Sequence, residues 1–274
     1  MSPIEKIGPL FLKREDLNPS GSVKDRALKA QIAHLQKKGF TAATISSTGN
    51  AAISAAHFCQ KAKIDLEIFL SPKVKPAKLK LIKTLGFPVQ LSPTPIKNAF
   101  RSAKEKKAYF LRQSTDPIAW QGYQTLGEEI LSFPLPISAI FFPVGSGTTL
   151  YGTWLAFKKH KKNIPLIAVQ PSAHAPIAGY FQSFKKEKEN PSDALSAKFL
   201  PLKEKLIQAI KESRGQGIVV SFKEFAETAA LLKFQKFPAL GPETILAISA
   251  AYRYLAKNPH LPPPLVIATG CPRL

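Results

Sequence analysis

Lys24 stands directly behind a Pro-Ser-Gly-Ser turn in "KREDLNPSGSVKDR", residues 13–26. Ser22, followed three residues later by Asp25, has the spacing of a capping box, which predicts a helix over 22–38 stopped by Gly39. The amine then falls in the first helical turn, beside the positive end of the macrodipole, where a neutral amine is favoured over an ammonium. A neutral amine is what a Schiff-base lysine offers to an aldehyde. The same residue also fits a solvated surface lysine, and this motif alone does not separate the two.

Three further stretches bear on the choice. "SSTGNAA" (46–52) joins a strand to a helix start, with Gly49 permitting a tight turn and Asn50 offering an amide to a ring hydroxyl or a carboxylate. Alone, Asn50 fits a helix cap equally well. "PVGSGTTLYG" (143–152) follows an apolar strand and opens a helix, so its small residues expose backbone N–H groups at a positive dipole end, a phosphate cradle. It matches neither the P-loop nor the dinucleotide fingerprint. "VIATG" (266–270) ends a strand in the hydroxyl of Thr269, which by itself needs no ligand.

The elements that must position these residues alternate regularly. Strands are predicted at 41–47, 64–70, 88–92, 108–114, 137–145, 164–171, 217–221 and 264–270. Helices are predicted at 22–38, 50–63, 76–86, 96–107, 117–131, 148–160, 222–235 and 242–257. The polar, proline-bearing segment 183–203 reads as mostly loop. This alternation predicts an α/β fold with doubly wound, mostly parallel sheets.

Composition narrows the class. The chain has 274 residues, 45% of them apolar, enough for a sizeable core. No run approaches the roughly 18 apolar residues of a membrane span, and "MSPIEKIGPLF" lacks a signal-peptide core, so a cytoplasmic protein without a membrane partner is expected. Cys59 and Cys271 lie far apart, without metal-ligand spacing, and read as idle thiols; no metal site is expected. The net charge of +21 admits a basic nucleic-acid binder, but the lysines are spread over most helices without interleaved aromatics, so no specific nucleic-acid partner is expected.

Taken in order, the lysine, the asparagine turn, the glycine turn and the strand-end hydroxyl resemble the fold type II pyridoxal-phosphate-dependent enzymes. That group contains threonine synthase, cysteine synthase, threonine dehydratase and the tryptophan synthase β-subunit. The resemblance runs from "FLKREDLNPSGSVKDRA" to "VIATG". It implies two three-layer α/β/α domains: a smaller one at 42–125 inserted into a larger, cofactor-binding one built from 1–41 and 126–274. It implies that Lys24 carries pyridoxal 5'-phosphate as an imine and then shuttles protons. Asn50 would contact the ring hydroxyl. Gly145, Ser146, Gly147, Thr148 and Thr149 would bind the phosphate, and Thr269 would face the pyridine nitrogen. Ser47, Thr48, Gly49, Asn50 and Ala51 would clasp the carboxylate of a small amino-acid substrate. A homodimer is expected from the resemblance alone.

"KREDLNPSGS" with "KDR", "SSTGNAA" and the Thr-Gly ending are most similar to threonine synthase, a lyase that converts O-phosphohomoserine and water to threonine and phosphate. The sequence also departs from that pattern. Ala119 stands where those enzymes carry an Arg that grips the substrate phosphate, with Gln121-Gly122 and Gln124-Thr125 nearby. Thr148 replaces a usual glycine, narrowing the approach to the cradle. The chain begins almost at "LFLKRED", so the strand and "TPL" segment that normally precede it are expected to be absent, and "SVKD" is nearer to cysteine synthase. A serine/threonine dehydratase, a cysteine synthase-like β-replacement enzyme and a catalytically degraded ligand-binding homologue therefore stay open.

Overall fold

The computed structural model describes residues 1–272 apart from Thr48, Lys198 and Lys236. In chain order the elements are β1 (Ile4–Ile7), β2 (Leu10–Lys13), α1 (Lys24–Lys37), β3 (Ala42–Ser46), α2 (Asn50–Ala62), β4 (Asp65–Leu70), α3 (Pro76–Lys83) and β5 (Val89–Leu91). Then come α4 (Pro95–Glu105), β6 (Tyr109–Phe110), α5 (Pro117–Leu131), β7 (Ile140–Pro143), α6 (Thr148–Lys159), β8 (Leu166–Pro171), α7 (Lys203–Glu212), β9 (Gln216–Val220), α8 (Phe222–Phe234), α9 (Pro242–Lys257) and β10 (Leu265–Ile267). The fold is α/β with mostly parallel sheets.

Two compact units divide the chain, one made of 1–18 with the chain from Tyr123 on, the other of Pro19–Gly122. The boundary falls inside α5.

The first unit carries a sheet in the order β1-β2-β10-β7-β8-β9. Strands β7 (IFFP) and β8 (LIAVQP) are buried at every position, the pattern of parallel strands covered on both faces. Apolar residues of α9, among them Leu246, Ala247 and Ala250, join Phe141, Val169 and Val266 in one core. β1 pairs antiparallel with β2, Ile4 opposite Lys13 and Ile7 opposite Leu10. A strand therefore does precede "LFLKRED". The alternation of "IEKI" is too short to announce it, and its pairing with the buried β2 holds it in place.

The second unit carries the parallel sheet β5-β4-β3-β6. Helix α1 packs on α2 in this unit. The Thr44 hydroxyl on β3 donates to the Ala99 carbonyl on α4 at 2.9 Å, fixing that helix to the sheet. β6 covers only Tyr109 and Phe110 of the predicted strand 108–114. Past Phe110 the chain turns: Arg112 N–H reaches back to the Phe110 carbonyl at 2.9 Å and Thr115 N–H to Arg112 at 3.1 Å. The segment 183–203 is mostly irregular, as expected, with one 3-10 turn at Asp193–Leu195, and the structure adds α7, which the sequence reading passed over.

Candidate active site

In the second unit Lys24 is the first residue of α1 and is half-buried. The predicted capping box does not form. The N-cap is Val23, without a side-chain cap, and the Asp25 N–H is taken by the Ser22 carbonyl at 3.2 Å. The Asp25 carboxylate turns back instead. It accepts from the Ser20 N–H at 2.7 Å, from the Ser20 hydroxyl, and from the Ser54 hydroxyl on α2 at 2.6 Å. Gly21, at φ +77°, gives the turn the left-handed residue it needs for this. A buried carboxylate with three donors is rigid, and the residue carrying it is the neighbour of Lys24.

Asn50 opens α2, and Gly49 rather than Asn50 occupies the N-cap, without a side-chain cap. The amide of Asn50 is therefore not consumed in capping its own helix. Asn50 and Ser54 are spaced i, i+4 on one face of α2, so the bond from Ser54 to Asp25 brings the first turn of α2 beside that of α1. Ser47, Gly49 and Ala51 are half-buried, and Gly49 N–H donates to the Ser47 hydroxyl at 3.3 Å. Thr48 lies outside the described residues. A close approach fixes α1 from the other side: a Cβ on Gly122 of α5 would stand 2.9 Å from the Ala27 Cα.

In the first unit the glycine turn and Thr269 leave neighbouring strands. β7 and β10 are parallel with Phe141 opposite Val266, so the chain past Pro143 and the chain past Ile267 emerge at the same carboxyl edge. Gly147 is the N-cap of α6 at φ +76°, with no side-chain cap, and its missing Cβ is replaced by the Leu206 side chain of α7. The Thr148 hydroxyl, in the place of a usual glycine, lies 3.1 Å from the Ser146 hydroxyl and is buried with Thr149. Gly145 and Ser146 are half-buried, as is Thr269.

These residues fit pyridoxal phosphate. The turn is kept free of side chains at 145 and 147 by the Ala194 carbonyl and the Leu206 side chain packed against it, and it opens a helix of 12 residues whose first N–H groups receive no side-chain cap, the backbone donors a phosphate needs. Among the described residues no group of three or more His, Cys, Asp or Glu is placed to hold a metal ion, and no helix is long and apolar enough to cross a membrane.

The sequence reading missed Arg112 and Gln113. With Thr44 opposite Phe110, they follow β6 at the same sheet edge as the 47–51 turn. Burial draws the Arg112 guanidinium below its ordinary pKa. Their position just past a strand end was the available signal. Reading 108–114 as one strand obscured it.

The family model "Pyridoxal-phosphate dependent enzyme" matches residues 2–270. Among solved structures, the processed form of threonine deaminase isoform 2 from Solanum lycopersicum aligns at TM-score 0.84 and 20% identity, covering 100% of this chain and 80% of that one. An O-acetylserine dependent cystathionine beta-synthase from Helicobacter pylori aligns at TM-score 0.81 and 23% identity, covering 98% and 92%. A fungal L-serine ammonia-lyase from Rhizomucor miehei aligns at 0.79 and 22%, covering 98% and 93%. At these identities the solved structures speak for the fold.

Proposed function

We propose that this chain, which belongs to the pyridoxal-phosphate-dependent enzymes, is a lyase that eliminates a leaving group from a small amino acid, with Lys24 as the cofactor-bearing and proton-moving residue. The observation that carries this reading is the bracing of Lys24 by Asp25, whose carboxylate is tied to the Pro-Ser-Gly-Ser turn and to α2 below Asn50.

When bound, the cofactor supplies an electron sink for the charge left at the substrate Cα. The remaining work falls to the chain. Gly145, Ser146, Gly147, Thr148 and Thr149 would hold the phosphate with backbone N–H groups and hydroxyls. Asn50 would orient the ring hydroxyl. Thr269 would face the ring nitrogen with a neutral hydroxyl, which does not enforce its protonation and so suits elimination better than transamination. Ser47, Thr48, Gly49, Asn50 and Ala51 would hold the substrate carboxylate. Lys24 Nζ would take the proton from Cα and return one later in the reaction.

Two substrates divide this reading. The lysine region, the asparagine turn and the Thr269-Gly270 ending support a threonine synthase-type reaction, from O-phosphohomoserine and water to threonine and phosphate. Lys24 would then remove the Cα and Cβ protons in turn. Ala119 favours the second reading, a serine/threonine dehydratase. It is wholly buried on α5, so the position that would bear a phosphate-gripping Arg offers a substrate phosphate nothing. Purified protein loaded with pyridoxal phosphate separates the two. Phosphate release from O-phosphohomoserine supports the first, and ammonia with an oxo acid from serine or threonine supports the second. Cysteine formed from O-acetylserine and sulfide would overturn both in favour of β-replacement. Turnover of none would leave a ligand-binding homologue.

A further inference from the structure

The segment between β8 and α7 is pinned along its length. The Glu187 carboxylate accepts from the Phe222 N–H at 2.7 Å and from the Ser172 hydroxyl. Asn190 closes a local turn, its Oδ1 accepting from the Ser192 N–H at 3.0 Å and its Nδ2 donating to the Ser196 hydroxyl at 2.8 Å. His174 Nε2 lies 2.9 Å from the Ala197 carbonyl oxygen, and the Leu195 side chain is buried in the core of the first unit.

Between these anchors, residues 192–195 run against the glycine turn. A Cβ on Gly145 would stand 2.7 Å from the Ala194 carbonyl oxygen. The strap is also joined to α9. The Ser192 hydroxyl, in a residue only 2% exposed, donates to Glu243 Oε1 at 2.5 Å. Glu243 lies in the first turn of α9, where its charge meets the positive end of the helix dipole. That turn abuts the end of the Thr269-Gly270 segment, since a Cβ on Gly241 would stand 2.9 Å from the Gly270 carbonyl oxygen. A single hydroxyl–carboxylate bond thus links the strap over Gly145 to the helix start beside Gly270.

We propose that Ser192 and Glu243 form a latch that seats the 192–195 strap on the glycine turn and thereby sets how tightly that turn holds a phosphate. They are positioning residues acting through the turn. The proposal rests on the reading of 145–149 as the phosphate cradle. A row of N–H groups binds an anion well only when the groups are fixed and competing water is kept out, and the strap supplies one wall. With the latch broken, the wall loosens and the turn is left to solvent.

The test compares pyridoxal phosphate with pyridoxal, which lacks the phosphate, as ligands of the full chain. Ser192→Ala and Glu243→Ala should each weaken pyridoxal phosphate about tenfold, the scale of one hydrogen bond to a charged group. The double variant should lose no more than either single one. Glu243→Gln, whose amide oxygen still accepts from Ser192, should restore the affinity. Pyridoxal affinity should not move. Tryptic cleavage at the exposed Lys185, Lys186 and Lys188 should quicken in the alanine variants only. Equal losses for both ligands, additive losses, or unchanged affinity for pyridoxal phosphate in Ser192→Ala would overturn the latch. A parent chain that binds the two ligands equally would instead overturn the reading of the turn, and the latch with it.

Discussion

The Ser54 hydroxyl on α2 donates to the Asp25 carboxylate at 2.6 Å, and Asp25 directly follows Lys24. One buried bond therefore fixes the start of the lysine helix relative to the helix that Asn50 opens. Removing its donor in Ser54→Ala should lower stability by about 1 kcal/mol, and Asp25→Ala, which strands the Ser20 and Ser54 donors together, by about 3 kcal/mol. Urea unfolding reads both. Cofactor titration should show weaker binding in each, because the first turn of α1 is then less fixed.

The close approach of α5 to α1 makes a second prediction. Gly122→Ala forces a methyl group against the Ala27 backbone, whose Cα would be 2.9 Å away. Backbone cannot step aside as a side-chain end can, so a loss of about 1–3 kcal/mol is expected in urea unfolding. Gly49→Ala provides the contrast: nothing lies within 4 Å of the Cβ it adds, so it should show no packing loss.

In the glycine turn, Gly147→Ala combines a left-handed backbone, φ +76°, with a clash against Leu206. The left-handed conformation alone costs about 1 kcal/mol, and the crowding adds to it. Binding of pyridoxal phosphate should fall at least tenfold, measured by fluorescence titration.

The two thiols should behave differently. Cys59 is fully buried, and burial pushes its pKa from the ordinary 9.0 up to about 12, whereas Cys271 is half-buried. The thiolate is the reactive form, so a thiol reagent near neutral pH should label Cys271 and spare Cys59 until the chain unfolds. The sign of the linkage follows. Between 9.0 and about 12 the unfolded chain loses the Cys59 proton and the folded chain keeps it. The Cys59 contribution to stability is therefore intact below 9.0 and declines as pH rises through this window. Comparing the alkaline unfolding of Cys59→Ala with that of the parent chain isolates it.

Much of the fold was legible because its signals are local. The buried run "IFFP" followed by "GSGTT", and the alanine-rich α2 after "SSTGN", declare a parallel strand, a helix start and the turn between them. What escaped depends on distant partners. β1 exists through its pairing with β2, and the fate of the Asp25 carboxylate was decided by Ser20 and by Ser54, which lies 29 residues away. Local spacing suggested a capping box, and the better donors elsewhere won. The 183–203 segment looked unconstrained because its anchors, Phe222 and Glu243, come later in the chain. Arg112 and Gln113 were hidden by a strand that ends at Phe110.

The most direct test of the account is chemical mapping of the cofactor's attachment. The chain is loaded with pyridoxal phosphate, reduced with borohydride to make the link permanent, digested, and sequenced by mass spectrometry. The account predicts a pyridoxyl group on Lys24, and loss of the linkage absorbance in Lys24→Ala. Attachment at another lysine, or scattered over the surface lysines of this +21 chain with Lys24 unmodified, would contradict it.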